Sequence, residues 1–451
     1  MSDKKIRLGA FIPASGQHIA SWRHTDANAQ GHASFEHYVN IIKVAERGLF
    51  DAMFLADGLS SSFGGESGVS RSDKVAGFEP LTLFSALSVV TNNIGFIATA
   101  STTYEEPYNL ARKFASLDLI SGGRGGWNLV TSANDAAARN FNLEHQVPHA
   151  QRYERAKEFV DVAKTLWDSW DDDAFIADKE SGVFAPEGVQ HPPLHKGRFF
   201  QVEGALNVPR SPQGQPVIVQ AGQSEPGKEL AARTAEVVFT AQQTLEDAQA
   251  FYRDVKSRLA KYGRNHDDLL IMPGVTFFIG ETYEEAKSYY DELNSLIHPE
   301  VGLGLLTALS GGEVDLSQFP LDEPLPELPE TQGFVSRQNL MVEIARKHNF
   351  TIRQLYEWVA GARGHWSVIG TAADIADQLE IWFKEGAADG FNILPPVLPR
   401  DLSLFVDKVI PELQRRGLFR TEYEGKTLRE NLGLSRPVNQ YNVSTKVTNF
   451  A

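Results

Sequence analysis

The chain has 451 residues, no cysteine, and a formal net charge of −15 from 43 Lys and Arg against 58 Asp and Glu. The lack of cysteine excludes disulfide frameworks, iron–sulfur clusters, zinc sites with cysteine ligands and thiol nucleophiles. The acidic balance argues against nucleic acid or an anionic membrane as a partner. The sequence shows neither a signal peptide nor an apolar run long enough to span a bilayer, so we expect a cytoplasmic protein.

Short apolar runs alternate with helical periodicity along the chain, the pattern of β/α units around a parallel sheet. Eight strands are predicted, at Ile6–Ile12, Phe50–Leu55, Ile94–Thr99, Gly126–Thr131, Pro216–Ala221, Val237–Ala241, Ile271–Ile279 and Phe391–Leu394. The main helices are predicted at Phe35–Arg47, Leu81–Thr91, Leu110–Ile120, Ala150–Trp170, Glu225–Ala235, Leu245–Tyr262, Ala372–Glu385 and Leu402–Arg416. This order predicts an α/β fold, a (β/α)8 TIM barrel, with a doubly wound open sheet as the alternative.

The spacing of these elements is uneven. Residues 1–420 are predicted to form a single barrel domain with insertions at about 171–215 and 283–368 on the C-terminal face, where long loops commonly cover a substrate pocket. The second insertion is either a lid or a peripheral excursion that contacts another subunit. The polar tail, residues 421–451, is either an arm around a partner subunit or a mobile terminus.

Common catalytic motifs are absent: the sequence has no nucleophile elbow, phosphate-binding Walker loop, zinc-protease motif or dinucleotide-binding glycine motif. His145 and His149 alone approach metal-ligand spacing, and without a third ligand nearby no metal site is predicted. An enzyme with this sequence is therefore expected to take its chemistry from an organic cofactor.

Polar residues cluster where three predicted strands end. Asp57 follows the second strand, Thr99 and Thr103 lie in a run of hydroxyl residues ending the third, and Asn128 lies in the fourth. Because the C-terminal ends of barrel strands converge on one face, these side chains are candidates for a common binding site. Each one alone is equally consistent with a loop cap or a satisfied core polar group.

A second cluster has the features of an anion site. The run Gly222-Gln223-Ser224 follows the fifth strand and opens a helix, whose free N–H groups attract phosphate. His149 and Tyr153 lie one turn apart at the start of another helix and face the same way. The alternatives are a simple serine cap and polar residues on a helix surface.

Several ordered motifs resemble one known family. They are the run from Ala45 to Asp57, the run from Ala98 to Arg124, Trp127–Ser132, His149–Tyr153, Gln220–Ser224 and Gly386–Phe391. Together, over residues 5 to 415, they resemble the bacterial luciferase-like flavin-dependent monooxygenases, and more narrowly the nitrilotriacetate and dibenzothiophene-sulfone monooxygenase branch. One departure is Gln223, where a small residue is expected.

The resemblance implies a TIM-barrel monooxygenase that takes FMN in its reduced form, FMNH2, from a separate NAD(P)H:flavin reductase and reacts with dioxygen through a C4a-(hydro)peroxyflavin. Asp57, Thr99, Thr103 and Asn128 are expected near the ring and ribityl chain. His149, Tyr153, Gly222 and Ser224 are expected at the phosphate, beside Gln223. A homodimer or homotetramer is implied. Water must be kept out, and Phe11, Phe54, Trp127 and Phe391 are the expected apolar walls.

The catalytic residues and the substrate are less constrained. His18 and His24 follow the first strand and are hypothesised to act in acid–base or peroxide-stabilising roles, against a purely structural alternative. The implied substrate is a small organosulfur or aminopolycarboxylate-like compound. Competing interpretations are a deazaflavin-dependent hydride-transfer oxidoreductase, a non-enzymatic flavin-binding protein and, more remotely, a metal-dependent hydrolase.

Overall fold

The strands of the computed structural model, which describes residues 4–61, 65–132, 134–310, 314–331 and 335–442, form one main parallel sheet and a small hairpin. In chain order they are β1 Arg7–Phe11, β2 Ala52–Leu55, β3 Gly95–Ser101, β4 Gly125–Val130, β5 His195–Lys196, β6 Gln201–Val202, β7 Val217–Gln220, β8 Val237–Thr240, β9 Leu270–Ile279, β10 Trp366–Gly370 and β11 Gly390–Leu394. Strands β5 and β6 pair with each other as the hairpin.

Eight of these strands close a barrel in the order β1, β2, β3, β4, β7, β8, β9, β11 and back to β1. They correspond to the eight predicted strands, and the predicted TIM barrel is confirmed. Strand β10 was not predicted, because its five residues lie in a region whose periodicity indicates helices. It pairs with Val275–Ile279 of β9, beyond the stretch that β8 occupies.

Sixteen α-helices lie within the described residues. They are α1 Phe35–Arg47, α2 Gly65–Arg71, α3 Pro80–Leu87, α4 Pro107–Ile120, α5 Asp135–Asn140, α6 His149–Trp167, α7 Glu225–Thr234, α8 Leu245–Arg258, α9 Tyr283–Ser295, α10 Pro299–Leu309, α11 Val335–His348, α12 Ile352–Ala362, α13 Ala372–Lys384, α14 Arg400–Leu404, α15 Ile410–Arg415 and α16 Leu428–Leu432. The predicted helix at Leu402–Arg416 contains a π-helical turn at Phe405–Val409, which ends two residues before Pro411, whose ring disfavours a regular helix. No described helix is both long enough and apolar enough to cross a bilayer.

Strand alternation separates the residues inside the barrel from those that contact the helices. Phe54 lies in the inner cluster with Phe11 and Phe239, and their ring centroids are 5.3 to 5.5 Å apart. Trp127 and Phe391 belong instead to the layer between barrel and helices. Their prediction as pocket walls was therefore wrong, because each lies one residue out of phase with the inward-facing positions of its strand.

The described part of the C-terminal segment packs beneath the N-terminal end of the barrel. Leu428 on α16 joins the inner cluster, and its Cδ1 atom lies 2.5 Å from where a Cβ on Gly95 would be placed. Buried Arg420 donates to Asp51, which precedes β2, at 2.5 Å. Residues 421–442 thus form a floor for the barrel, and residues 443–451 lie outside the described residues. The predicted division into barrel domain, insertions and tail stays a prediction.

Candidate functional site

A polar layer lies inside the barrel at its C-terminal end. Asn128 on β4 donates from Nδ2 to the Thr99 hydroxyl of β3 at 2.8 Å, and Thr99 donates in turn to the Leu55 carbonyl at 2.8 Å. Both side chains are buried. The Oδ1 atom of Asn128 has no hydrogen-bond partner among the described residues, although it is fully buried. A buried acceptor without a partner costs about 1–3 kcal/mol, which a hydrogen-bond donor brought to this position would offset. Asn128 itself is not among the residues that line the two cavities described next.

Beside this layer lies a cavity of about 380 Å³ at the ends of β4 and β7. Six of the nine residues predicted to bind cofactor line it: Asp57, His149, Tyr153, Gly222, Gln223 and Ser224. Thr99 lines a neighbouring cavity of about 680 Å³ that also has Asp57 on its wall. The fold thus brings to these two neighbouring cavities predicted residues from four separate segments of the chain.

The N-terminus of α7 forms one end of the cavity. Ser224 caps this ten-residue helix, and its hydroxyl accepts from the Gly227 N–H at 3.3 Å. The Tyr153 hydroxyl lies 3.5 Å from the Ser224 hydroxyl. A Cβ on Gly222 would lie 3.0 Å from the Gly227 Cα and 3.2 Å from the Tyr153 hydroxyl, so a side chain there would fill the cradle. Free helix N–H groups and two hydroxyl donors make this end suitable for a phosphate.

Two basic residues on the first turn of α6, His149 and Arg152, lie at this end of the cavity and differ in charge. Arg152 is buried and donates to the Ser132 carbonyl, while its Nε has no partner among the described residues. Burial, followed by the field of Arg152, lowers the pKa of His149 below its usual value. His149 is therefore a neutral donor or acceptor near pH 7, and Arg152 carries the charge that offsets an anion.

Gln223 departs from the expected small residue without blocking the cradle. Its side-chain amide donates to the Thr240 hydroxyl at 3.0 Å and to the Ala241 carbonyl at 3.2 Å. The amide is thereby held against the end of β8. It forms a wall of the cavity and leaves the Ser224 and Tyr153 hydroxyls to face each other.

Asp57 and Thr103, two further residues predicted to bind cofactor, lie in different surroundings. Burial, and then the field of Glu79, raises the pKa of Asp57 above its usual value, as is typical of a carboxyl group beside an apolar ligand site. Thr103 donates to the Thr131 carbonyl at 2.5 Å and is not among the residues lining either cavity. Its hydroxyl joins the loops that follow β3 and β4.

The two predicted catalytic histidines lie outside the 380 Å³ cavity. His18 is fully buried; its Nδ1 accepts from the Ala20 N–H at 3.2 Å, so its Nε2 donates to Asn294 Oδ1 at 3.1 Å. Burial lowers the pKa of His18 to about 4, so its ring is neutral at pH 7. His24 accepts from the Asp26 N–H at 3.1 Å and lies 3.7 Å from a Glu292 carboxylate oxygen.

Among the residues of the cavity wall that sequence reasoning did not predict are Arg152, Gln220 and Arg337. Arg152 lies inside the quoted His149–Tyr153 motif, where its position between two predicted ligands was a usable signal. Gln220, at the end of β7, has a buried Oε1 without a partner in the described part of the chain. Arg337 comes from α11 in the long insertion, far from any strand end, and no local pattern marks it.

Residues 15–389 match the family of luciferase-like monooxygenases. The chain is 52% identical to nitrilotriacetate monooxygenase component A of Aminobacter aminovorans over 97% of this chain and 98% of that protein. It is 41% identical to dibenzothiophene-sulfone monooxygenase of Rhodococcus erythropolis (strain XP), over 96% and 98% respectively. Among solved structures, a riboflavin lyase with modified FMN and riboflavin superposes with a TM-score of 0.86 at 30% identity, covering 96% of this chain and 97% of that one. The predicted resemblance is confirmed: the chain belongs to the luciferase-like monooxygenases and is a flavin-dependent monooxygenase.

Proposed function

We propose that this protein uses FMNH2, supplied by a separate NAD(P)H:flavin reductase, and dioxygen to oxidise a small organosulfur or aminopolycarboxylate-like compound. The observation that carries the proposal is the cavity itself. It combines a phosphate-type cradle at the N-terminus of α7 with a buried polar layer at the barrel mouth. The naming of relatives as monooxygenases of nitrilotriacetate and of dibenzothiophene sulfone supports the reaction class.

The residues present fit FMN at both ends. The unpartnered oxygens of Asn128 and Gln220 are buried acceptors that suit N–H or ribityl O–H donors. The cradle at Gly222, closed by the Ser224 and Tyr153 hydroxyls, suits a phosphate and has no room for a side chain at Gly222. The net charge of −15 opposes an anionic ligand, so a local site of oriented donors is required.

When bound, reduced FMN supplies the electrons with which dioxygen gives one oxygen atom to the substrate and one to water. Asn128 would offer Oδ1 to an N–H group of the cofactor, because Thr99 already accepts from its amide nitrogen. Ser224 and Tyr153 would hold the phosphate, and Arg152 would offset its charge. The Phe11, Phe54 and Phe239 rings form an aromatic cluster that excludes water from the barrel interior beneath the site.

The proposal is tested by incubating the protein with FMN, NADH, a flavin reductase and candidate substrates under isotopically labelled dioxygen. We expect a product that carries labelled oxygen, or its cleavage fragments, only when reductase and FMN are both present. Parallel titrations compare FMN, reduced FMN and a deazaflavin. Selective tight binding of the deazaflavin contradicts the proposal. Tight FMN binding without a labelled product from any compound of the panel indicates a flavin-binding protein instead.

His18 and His24 stay proposals as acid–base residues, and paired substitutions test them. A general acid or base contributes about 10²- to 10⁴-fold, so His18→Gln or His24→Gln should lower kcat at least about 100-fold if that residue transfers a proton. The neutral ring of His18, with both nitrogens engaged, favours a positioning effect smaller than this. Wild-type kcat in both variants, measured with the substrate identified above, removes both residues from the mechanism.

A further inference from the structure

Two arginines of the long insertion lie next to each other at the C-terminal face of the barrel. Arg337 lines the 380 Å³ cavity, and its Nη1 donates to the Arg363 carbonyl at 2.6 Å. Its Nη2 lies 3.2 Å from His365 Nε2. The His365 ring stacks on Phe239 of the aromatic cluster, with the two ring centroids 4.9 Å apart. The pair therefore lies between the cavity and the apolar interior of the barrel.

The Arg363 guanidinium has buried N–H groups without a hydrogen-bond acceptor in the described part of the chain. Its Nε and Nη2 atoms are buried and have no hydrogen-bond partner anywhere in the described residues. It follows the last residue of α12 with φ at 52°, a left-handed conformation that favours glycine. Burying guanidinium N–H groups without an acceptor is costly, and a strained backbone that persists commonly indicates a functional position.

The surrounding charges do not neutralise these arginines. Asp73 is the described carboxylate whose field reaches Arg363, but its Oδ2 atom already lies 3.0 Å from the Lys74 ammonium. Lys74 and Arg363 therefore share this one carboxylate, whereas the neighbouring charge that acts on Arg337 is the positive charge of Arg363. Burial, and then the field of Arg363, lowers the pKa of Arg337 to about 10, which shows how poorly the charge is compensated.

We propose that Arg363 and Arg337 form an anion site for a carboxylate group of the substrate, so that the compound oxidised is a carboxylate. This inference rests on the proposed function, because it assigns the position of the substrate relative to the flavin cavity. A guanidinium offers a planar fork of donors that matches a carboxylate, and the unpartnered Nε and Nη2 of Arg363 lie on one edge of that fork. Arg337, shared by the cavity wall and by this pair, joins the two sites.

The test measures binding without flavin, by calorimetry in metal-free buffer, using nitrilotriacetate, citrate and a thioether dicarboxylate as probes. Their neutral methyl esters are the controls. We expect the protein to bind at least one carboxylate and none of the esters. Arg363→Met and Arg337→Met should each weaken that binding at least about tenfold, the typical effect of losing a charged hydrogen bond. Arg353→Met, on α12 but paired with Asp322 at the surface, should leave binding unchanged.

Two further measurements separate this proposal from its alternatives. The Tm of the Arg363→Met variant should equal or exceed that of the wild type, because a buried uncompensated charge is removed; a fall in Tm indicates a structural helix cap. The Kd of FMN should stay within about threefold in Arg363→Met, since a weakened FMN with unchanged carboxylate binding assigns the pair to the flavin phosphate. Failure of every carboxylate to bind the wild type overturns the proposal. The carboxylate titration contains no flavin, so its result is independent of whether the protein oxidises the compound.

Discussion

Replacing Ser224 with aspartate should weaken FMN binding by about 10²- to 10³-fold while leaving the free protein as stable as the wild type. Aspartate is as good a helix cap as serine, and its charge is favourable at the N-terminus of α7 in the absence of ligand. With a phosphate about 4 Å away, the repulsion is about 4 kcal/mol at an effective dielectric constant near 20. The measurement is the Kd of FMN from quenching of flavin fluorescence, with Tm recorded in parallel.

Ser224→Asn is the matched control. Asparagine caps helices as well as aspartate and has nearly the same shape, so the two variants differ in charge alone. We expect its FMN affinity to fall less than about tenfold, the cost of one altered hydrogen bond. Riboflavin, which lacks the phosphate, should bind the two variants equally. Equal FMN affinities in Ser224→Asp and Ser224→Asn would show that the phosphate lies away from the N-terminus of α7.

The barrel was predictable because its strands are buried on both faces and therefore read as apolar runs separated by helical periodicity. The positions of Asp57, Thr99 and Asn128 followed from one rule, that the strand ends converge. The orientation of Trp127 did not follow, since a strand buried on both sides shows no alternation that separates inside from outside. Strand β10 was missed for a related reason, since Trp366–Gly370 is short and follows a helical insertion.

The site residues likewise divide into those that could be predicted from the sequence and those that could not. Ser224, Gly222 and Tyr153 were identified because a helix start has a local signature and because the family resemblance placed them. Arg337 was not identified, because it reaches the cavity from a distant insertion, and Arg363 was not, because its buried Nε and Nη2 stand out only by having no hydrogen-bond partner among the described residues. The charge environment of a side chain depends on elements distant in the sequence, so only the folded structure separates an unpaired buried arginine from a solvated one.

The contact between the C-terminal segment and the N-terminal end of the barrel gives the largest expected change in the free energy of unfolding. Arg420 is fully buried, donates to Asp51 at 2.5 Å and to the Asn431 carbonyl at 2.7 Å, and so connects β2 to the segment bearing α16. Arg420→Met leaves the Asp51 carboxylate buried without this partner. Breaking a buried pair in this way costs about 3–5 kcal/mol, which we expect as a loss of unfolding free energy in urea titrations.

Two comparisons show whether the unpaired charge is the cause. Arg47→Met breaks an exposed pair with Asp407 and should cost less than about 1 kcal/mol. Adding Asp51→Asn to Arg420→Met removes the stranded charge while keeping an acceptor for the Leu8 N–H, which Asp51 now holds at 2.7 Å. The double variant should therefore be more stable than Arg420→Met alone. Equal stability of the single and double variants would mean that Arg420 acts through packing on Phe419 and Tyr423, and that the ion pair itself contributes little.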